Sequence, residues 1–493
     1  MKVFRLSLLL IFFSMGCTTQ SDIPELQILA EVGSSSITIQ DFIRRAEYTI
    51  RPDYCRQSNY IHKKIILNSL ISEKLIAIEY ESQNAGSLDD QLNSALTGRK
   101  EQAMRQVHYA KEFYDRTELK DHELKSAYKL AGRTVFVQYL NLPDLELVDK
   151  IKELVIQNVP LDSIHDNLWG GSAPKREISW FEREQDIFHK LLFDPDIKKG
   201  QFIGPIATED SSYLVMVING WKDEIQISES SQAQRWNDVT ERLTEQKAKS
   251  SYFKWVQELM SGKEISFNPD IFYQYADRAS KHFFKLDSVK KSALNKAIWN
   301  EPELLDQPTF TIDSNDFEID PNSILLQYNG NGWTVKDFND KLRSHPLVFR
   351  KRKLNRSEFP EQLRLAIADL FRDEEITNQC YQSGYNKNWI VESNVSMWKD
   401  AMLSREYMAK MKSENKDLKT QDKWLEFMNP VIDSLQNVYS DQIEINMDAF
   451  ESIELTSTDM IVTQRGVPYP IVVPSFPVIT TDSYLNYGTK MDP

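Results

Sequence analysis

The sequence predicts a mainly α-helical protein with an α+β insert, built as two related helical modules of which the first is interrupted. Three observations carry this. A strand, turn and helix pattern is written twice. Amphipathic helices at 3.6-residue spacing follow each copy. Between its opening and closing elements the first copy is longer than the second by about a hundred residues, an excess that includes strand-like alternation.

Ala30-Glu31-Val32-Gly33 followed by Ile37-Thr38-Ile39-Gln40-Asp41-Phe42 recurs as Leu326-Gln327-Tyr328-Asn329-Gly330 followed by Trp333-Thr334-Val335-Lys336-Asp337-Phe338. Thr38 and Thr334 are good helix N-caps, and Asp41 and Asp337 complement the positive end of the helix dipole. Phe42 and Phe338 are then expected in the core. Residues 63–83 and 361–383 follow as amphipathic helices, the first carrying Ile66, Leu67, Leu70, Ile71, Leu75 and Ile78 on helical spacing. Gly86 and Gly384 stand just past them as C-caps. Long polar-faced helices over 88–114 and 391–412 come next. Each copy closes with a tryptophan-bearing helix and a strand, Trp255 leading to Ile265-Ser266-Phe267 and Trp424 to Ile443-Glu444-Ile445. The opening and closing strands of each copy are expected to pair with each other.

The insert spans 133–222. Residues 134–140 alternate as a strand, 146–159 read as a helix, and Trp180-Phe181 leads through 187–193 to Lys199-Gly200-Gln201-Phe202-Ile203-Gly204-Pro205-Ile206. Residues 212–218 close it as a buried strand. The tail from 456 alternates prolines with large apolar residues, Val467-Pro468-Tyr469-Pro470-Ile471-Val472-Val473-Pro474. Repeated proline excludes a helix and favours an extended path. Docking on the protein itself is expected over docking on a partner, since a free apolar tail invites aggregation.

The N-terminus carries Lys2 and Arg5, then an apolar run ending at Cys17 that is too short for a bilayer span of about 20 residues. Ser14-Met15-Gly16-Cys17 resembles the bacterial lipobox. That resemblance implies a signal peptide over 1–16, acylation of Cys17, and a polar tether over 17–26 beginning Thr18-Thr19-Gln20. Several acyl chains give stable anchoring where one is marginal. Thr18 in place of aspartate implies sorting to the outer membrane, with the body facing the periplasm.

The chain has 493 residues, 41% hydrophobic and 11% aromatic, enough for about two to four domains with sizeable cores. Its charge of −14 argues against a nucleic-acid groove or a polybasic membrane patch. Cys55 and Cys380 leave free thiols or a single long-range bridge open, with free thiols expected. Seven histidines, His62, His108, His122, His165, His189, His282 and His345, show no metal-ligand spacing. Neither a phosphate-binding glycine loop nor a Gly-x-Ser-x-Gly nucleophile motif occurs, so no metal or other cofactor is expected.

The order of elements in the insert, with its Trp-Phe pair, phenylalanine-bearing helix and Gly-x-x-x-Gly-Pro turn, resembles the parvulin-type peptidyl-prolyl isomerase domain. With the flanking helices the chain is similar to the SurA, PpiD and PrsA group of extracytoplasmic foldases. The resemblance implies two SurA-like chaperone modules: a first from 27–132 and 223–280 carrying the parvulin-like domain, and a second over 321–455, joined by a linker at 281–320. It implies a prolyl pocket lined by Ile178, Phe181 and Phe188, with Tyr213 in the last strand. It also exposes a departure. The family's two histidines fall near Gln138 or Tyr139 and at Leu214, so both are absent.

Prolyl isomerisation needs no nucleophile, only a shape-matched pocket that lowers a barrier of about 18–20 kcal/mol. Without the histidine pair, weak or absent isomerase activity is expected. The implied function is that of a holdase for unfolded envelope and outer-membrane proteins. The rival readings are an active isomerase and a non-catalytic scaffold subunit of an envelope assembly machine.

Overall fold

The structure, a computed structural model, describes residues 27–84, 90–182, 186–208, 212–296, 319–351, 354–418, 420–456 and 468–491. The expected signal peptide, Cys17 and the tether up to residue 26 lie outside these residues, as does 297–318 of the expected linker. Within them the chain is mostly helical with small sheets.

The first copy opens with the hairpin β1 (Ile28–Val32) and β2 (Ser35–Thr38), which feeds α1 (Ile39–Glu47). Thr38 Oγ1 accepts from the Asp41 N–H at 3.0 Å, and the Asp41 carboxylate accepts in return from the Thr38 hydroxyl at 2.8 Å and N–H at 3.4 Å. Both residues therefore act as one capping box. Next come α2 (Tyr60–Gln83), α3 (Asp90–Tyr109), extended by a π-turn to Tyr114, and α4 (Asp121–Leu130). α2 is buried on every side from Ile65 to Ala77, which makes it the central helix. Its buried charges are paired: Glu73 accepts two bonds from Arg45 of α1 at 2.8 and 2.9 Å.

The insert comprises β3 (Arg133–Leu142), α5 (Leu145–Ile156), α6 (Leu161–Trp169), β4 (Lys175–Ser179), α7 (Asp186–Leu192), β5 (Phe202–Ala207) and β6 (Tyr213–Asp223). Its strands form one antiparallel sheet in the order β4-β3-β6-β5. Alternation splits the apolar side chains between two faces. Val135, Val137, Tyr139, Leu214, Met216 and Ile218 pack with α7, while Leu140, Leu142, Tyr213, Val215 and Val217 pack with α5 and α6.

Past the insert run α8 (Glu229–Met260), β7 (Ile265–Phe267) and α9 (Pro269–Lys296). The second copy opens with β8 (Ile324–Tyr328) and β9 (Asn331–Thr334), feeding α10 (Val335–Ser344). Thr334 and Asp337 repeat the capping box, at 3.1 Å for both N–H bonds and 2.7 Å between the side chains. α11 (Phe359–Gln382), α12 (Trp389–Glu414), α13 (Gln421–Val438), β10 (Ile443–Ile445) and α14 (Met447–Ser452) follow, and β11 (Thr489–Lys490) ends the tail. Gly384 caps the end of α11 in the left-handed region, at φ +76°.

The closing strands depart from expectation: they are exchanged. β10 pairs with β1, at the opposite end of the chain, and β7 pairs with β8. The two resulting units match bond for bond. Gly33 N–H donates to Gln442 O at 2.8 Å where Asn329 N–H donates to Glu264 O at 3.0 Å. Asn446 N–H donates to Leu29 O at 2.9 Å where Asn268 N–H donates to Leu325 O at 3.0 Å. Phe42 meets Phe450 edge-on, while Phe338 meets Tyr275 edge-on, three residues past Phe272, the position that corresponds to Phe450. Proximity along the chain accounts for one of the two pairings, since β7 and β8 are neighbouring strands in sequence; β10 then closes on β1 across almost the whole chain.

A second departure concerns 269–296, which is a helix and not the start of a linker at 281. Phe272, Tyr275, Ala276 and Ala279 of α9 are buried against Phe338, Leu363 and Phe371. The second unit therefore begins at Ile265 rather than 321, and residues 265–280 do not close the first module. The tail docks on the protein itself: Tyr469, Val473, Phe476 and Ile479 each enter a different apolar cluster. Its carbonyls are also held, Ser475 O by Arg45 at 3.0 Å and Val478 O by the Trp424 indole at 3.1 Å. Cys55 and Cys380 are buried in separate clusters and form no bridge with each other.

Candidate functional site

Three of the four residues implied for the prolyl pocket share one face of the insert. Ile178 sits on β4 opposite Val135 and is buried in the cluster beneath α7. Phe188, on α7, is half-buried against the same cluster. Phe181, in the turn after β4, is 38% exposed and stands edge-on to Trp180 at 4.8 Å. Tyr213 does not join them. As the first residue of β6 it alternates onto the other face, packed with the cluster of α5 and α6. The odd and even positions of a strand point to opposite sides, so Tyr213 and Leu214 cannot serve one pocket.

The same alternation separates the two positions near which the resemblance implies a first histidine. Tyr139 and Leu214 both belong to the α7 face, and Gln138 faces away. Gln138 instead reaches Asp162 of α6, whose carboxyl is lowered first by that bond and further by the Ala173 N–H and Lys175. The floor of the face is thus Tyr139, Leu214 and Met216. One imidazole touches this cluster. His189 shares a hydrogen bond with Trp180 O at 3.0 Å and packs on the Trp180 and Phe193 rings, a structural engagement.

Two helices outside the insert complete this face. Val239 and Leu243 of α8 and Leu124, Ala127 and Leu130 of α4 enter the same cluster. Arg242 of α8 lies over the Trp180 ring at 4.8 Å and donates to Glu182 O at 3.2 Å. Beyond this cover the face stays open: Tyr139, Leu214 and Phe188 are half-buried, and Ile187 and Leu191 of α7 are exposed. The insert exposes further large apolar side chains on α5 and α6, among them Ile156 at 67% and Trp169 at 51%. Ile225 and Ile227, on the connection to α8, are at least 82% exposed. Such an arrangement can hold apolar segments.

A second concave feature lies between the modules. A cleft of about 1000 Å³ is bounded by α3, the end of α10, α11, α12 and the docked tail. At its base Asp373 accepts from Arg372 at 2.7 and 2.9 Å, and from the Tyr469 hydroxyl at 3.1 Å. Sequence reasoning missed this cleft, because its walls come from segments far apart in the chain. Among the described residues no group of His, Cys, Asp and Glu could hold a metal ion, and no helix is long and apolar enough to cross a membrane.

Compared with models of protein families and with the curated proteins, the chain matches none.

Proposed function

We propose that this chain is a lipid-anchored holdase of the cell envelope, similar to the SurA, PpiD and PrsA group, that shelters unfolded envelope and outer-membrane proteins. In this reading the parvulin-like insert binds client segments without efficient isomerase turnover. One observation carries it: the insert's α7 face is a partly open apolar surface whose floor positions are Tyr139 and Leu214 instead of histidine. Burial of apolar area stabilises by about 25 cal/mol per Å², so several exposed side chains together hold an extended client reversibly. Folding of the client then buries the same residues and releases it. The acylated Cys17 would keep this activity at the membrane where such clients arrive.

The test is dilution of a denatured outer-membrane protein into buffer with the chain, followed by light scattering. Suppression of scattering at a few-fold excess is expected. Scattering unchanged at every ratio rejects the proposal.

A further inference from the structure

The two units differ at one sheet edge. In the first, the strands run β2-β1-β10-β11, and β11 of the tail lies parallel to β10 with Glu444 opposite Thr489 and Ile445 opposite Lys490. In the second they run β9-β8-β7, and among the described residues no strand takes the place of β11. The bonds from Gly33 to Gln442 and from Asn329 to Glu264 set the correspondence. Ile265 and Phe267 of β7 therefore stand where Ile443 and Ile445 stand in β10.

Alternation along an antiparallel pair fixes which backbone groups look outward. Glu264 O and Asn268 N–H bond to β8, each at 3.0 Å, so Ile265 and Phe267, one position off, turn their N–H and C=O groups away from it. Ile445, at the matching position of β10, uses its outward carbonyl, which accepts from the Met491 N–H at 3.2 Å. The side chains carry the same contrast. Ile443 and Ile445 are 0% and 2% exposed, and Leu485 and Tyr487, two residues apart on the tail, pack on their cluster. Ile265 and Phe267 are only half-buried. Beside them Tyr273 of α9 is exposed, with the Arg364 guanidinium 5.9 Å from the Phe267 ring and 5.4 Å from the Tyr273 ring. β7 has none of the devices that blunt an edge: no proline, charged side chain or bulge interrupts Ile265-Ser266-Phe267.

We propose that the β7 edge binds an extended segment of another polypeptide, added parallel to β7 as β11 is added to β10, with apolar side chains at every second residue. Main-chain bonds supply the affinity and the alternate side chains the selectivity. The site belongs to the second unit and not to the insert, and a peptide fills it without any aggregating client, so its failure leaves the scattering test untouched.

The tail supplies the probe: a free peptide of residues 484–491, added to the full chain, with hydrogen exchange resolved to single amides. Saturable slowing at the Phe267 amide is expected, with the Ser266 amide, which faces β8, unchanged. In β11 the Met491 N–H points to the edge, and the geometry of a parallel pair turns the Lys490 N–H away from it. N-methylation of the peptide at the Met491 position is expected to weaken binding about ten-fold or more. The same change at the Lys490 position is expected to leave binding unchanged. No saturable slowing at Phe267 overturns the proposal, as does equal weakening by the two methylations. A Phe267 amide that already exchanges slowly in the free chain shows an edge covered by the chain itself and overturns it too.

Discussion

The Tyr469 hydroxyl donates to Asp373 at 3.1 Å while accepting from the Tyr252 hydroxyl at 2.8 Å, so a single phenol of the tail bridges α8 and α11. Burial is the largest influence on Asp373 and works against its charge. Arg105, His345 and Arg372 together outweigh it and hold the carboxyl well below the usual carboxylate range. Tyr469 itself is pushed well above the ordinary tyrosine value, first by burial, and stays a donor at every physiological pH.

Tyr469→Phe keeps the ring and removes both bonds. It leaves the Tyr252 hydroxyl without its acceptor in a buried setting, and a stranded buried polar group costs about 1–3 kcal/mol. A urea midpoint lowered by an amount of that order is expected. An unmoved midpoint shows that the bridge contributes nothing and that tail docking rests on its apolar side chains and on the bonds to Ser475 O and Val478 O. The Asp373 contribution has a definite sign with pH. Its folded value is depressed, so the stabilisation is present above the unfolded value of about 3.9 and disappears only as pH falls through the folded value.

Lys74 and Asp400 join α2 to α12 by a buried ion pair at 2.6 Å. Burial raises the Asp400 carboxyl, and Lys74 opposes that shift without cancelling it. Asp400→Asn leaves a buried ammonium without its counter-charge and is expected to cost about 3–5 kcal/mol. Replacing both partners, Lys74→Met with Asp400→Leu, is expected to be far milder than the single change. Chemical denaturation of Lys74→Met, Asp400→Leu and the double closes the cycle. A double variant as unstable as the sum of the singles shows that the residues act independently.

Much of the architecture was written locally in the chain. Thr38 and Thr334, with Asp41 and Asp337 three positions on, announce two helix starts, and each proves to be a reciprocal cap. The insert expected over 133–222 begins with β3 at Arg133 and ends with β6 at Asp223, though both strands run past the 134–140 and 212–218 expected for them. What local pattern could not encode is partner choice. Ile265-Ser266-Phe267 and Ile443-Glu444-Ile445 are short strands of one type, and nothing in either names the hairpin it joins. The spacing of Phe272, Tyr275, Ala276 and Ala279 does carry the buried stripe of α9 in the sequence. On the insert, alternation alone separates Tyr213 from the α7 face. The Arg-lined cleft needed the fold itself, since Arg105 and Arg372 meet only after the chain has returned on itself.

His108 makes stability depend on pH near neutrality. It is buried among Trp255 at 4.9 Å, Tyr385 at 5.6 Å and Phe113 at 5.7 Å, and its Nδ1 has no partner. Burial lowers its pKa, and Glu112 offsets part of that effect. The unfolded chain takes up a proton near pH 6.5, where folded His108 stays neutral, so the unfolded state gains as pH falls below about 6.5. The loss levels off once pH passes the folded value. His108→Phe places carbon where the ring lacks a hydrogen bond, and is expected to flatten the fall in stability between about pH 7 and 5. Denaturation curves across that range check it, and an identical slope in both proteins refutes the assignment.

The insert's α7 face yields the prediction closest to function. Phe181 is partly exposed and anchors little of the core, so Phe181→Ala is expected to change stability by less than about 0.5 kcal/mol. If this face holds clients, the same change, combined with Ile187→Ala, weakens suppression of aggregation several-fold while the unfolding midpoint stays put. Turnover of a proline peptide coupled to a protease is expected to be close to the uncatalysed rate in the unaltered chain, because Tyr139 and Leu214 occupy the positions where the resemblance implies histidine. Efficient turnover abolished by Phe188→Ala would instead establish an isomerase working through an apolar pocket alone. Loss of holding without any turnover separates the two readings on a single face, since binding needs the exposed rings and catalysis needs a pocket complementary to the twisted amide.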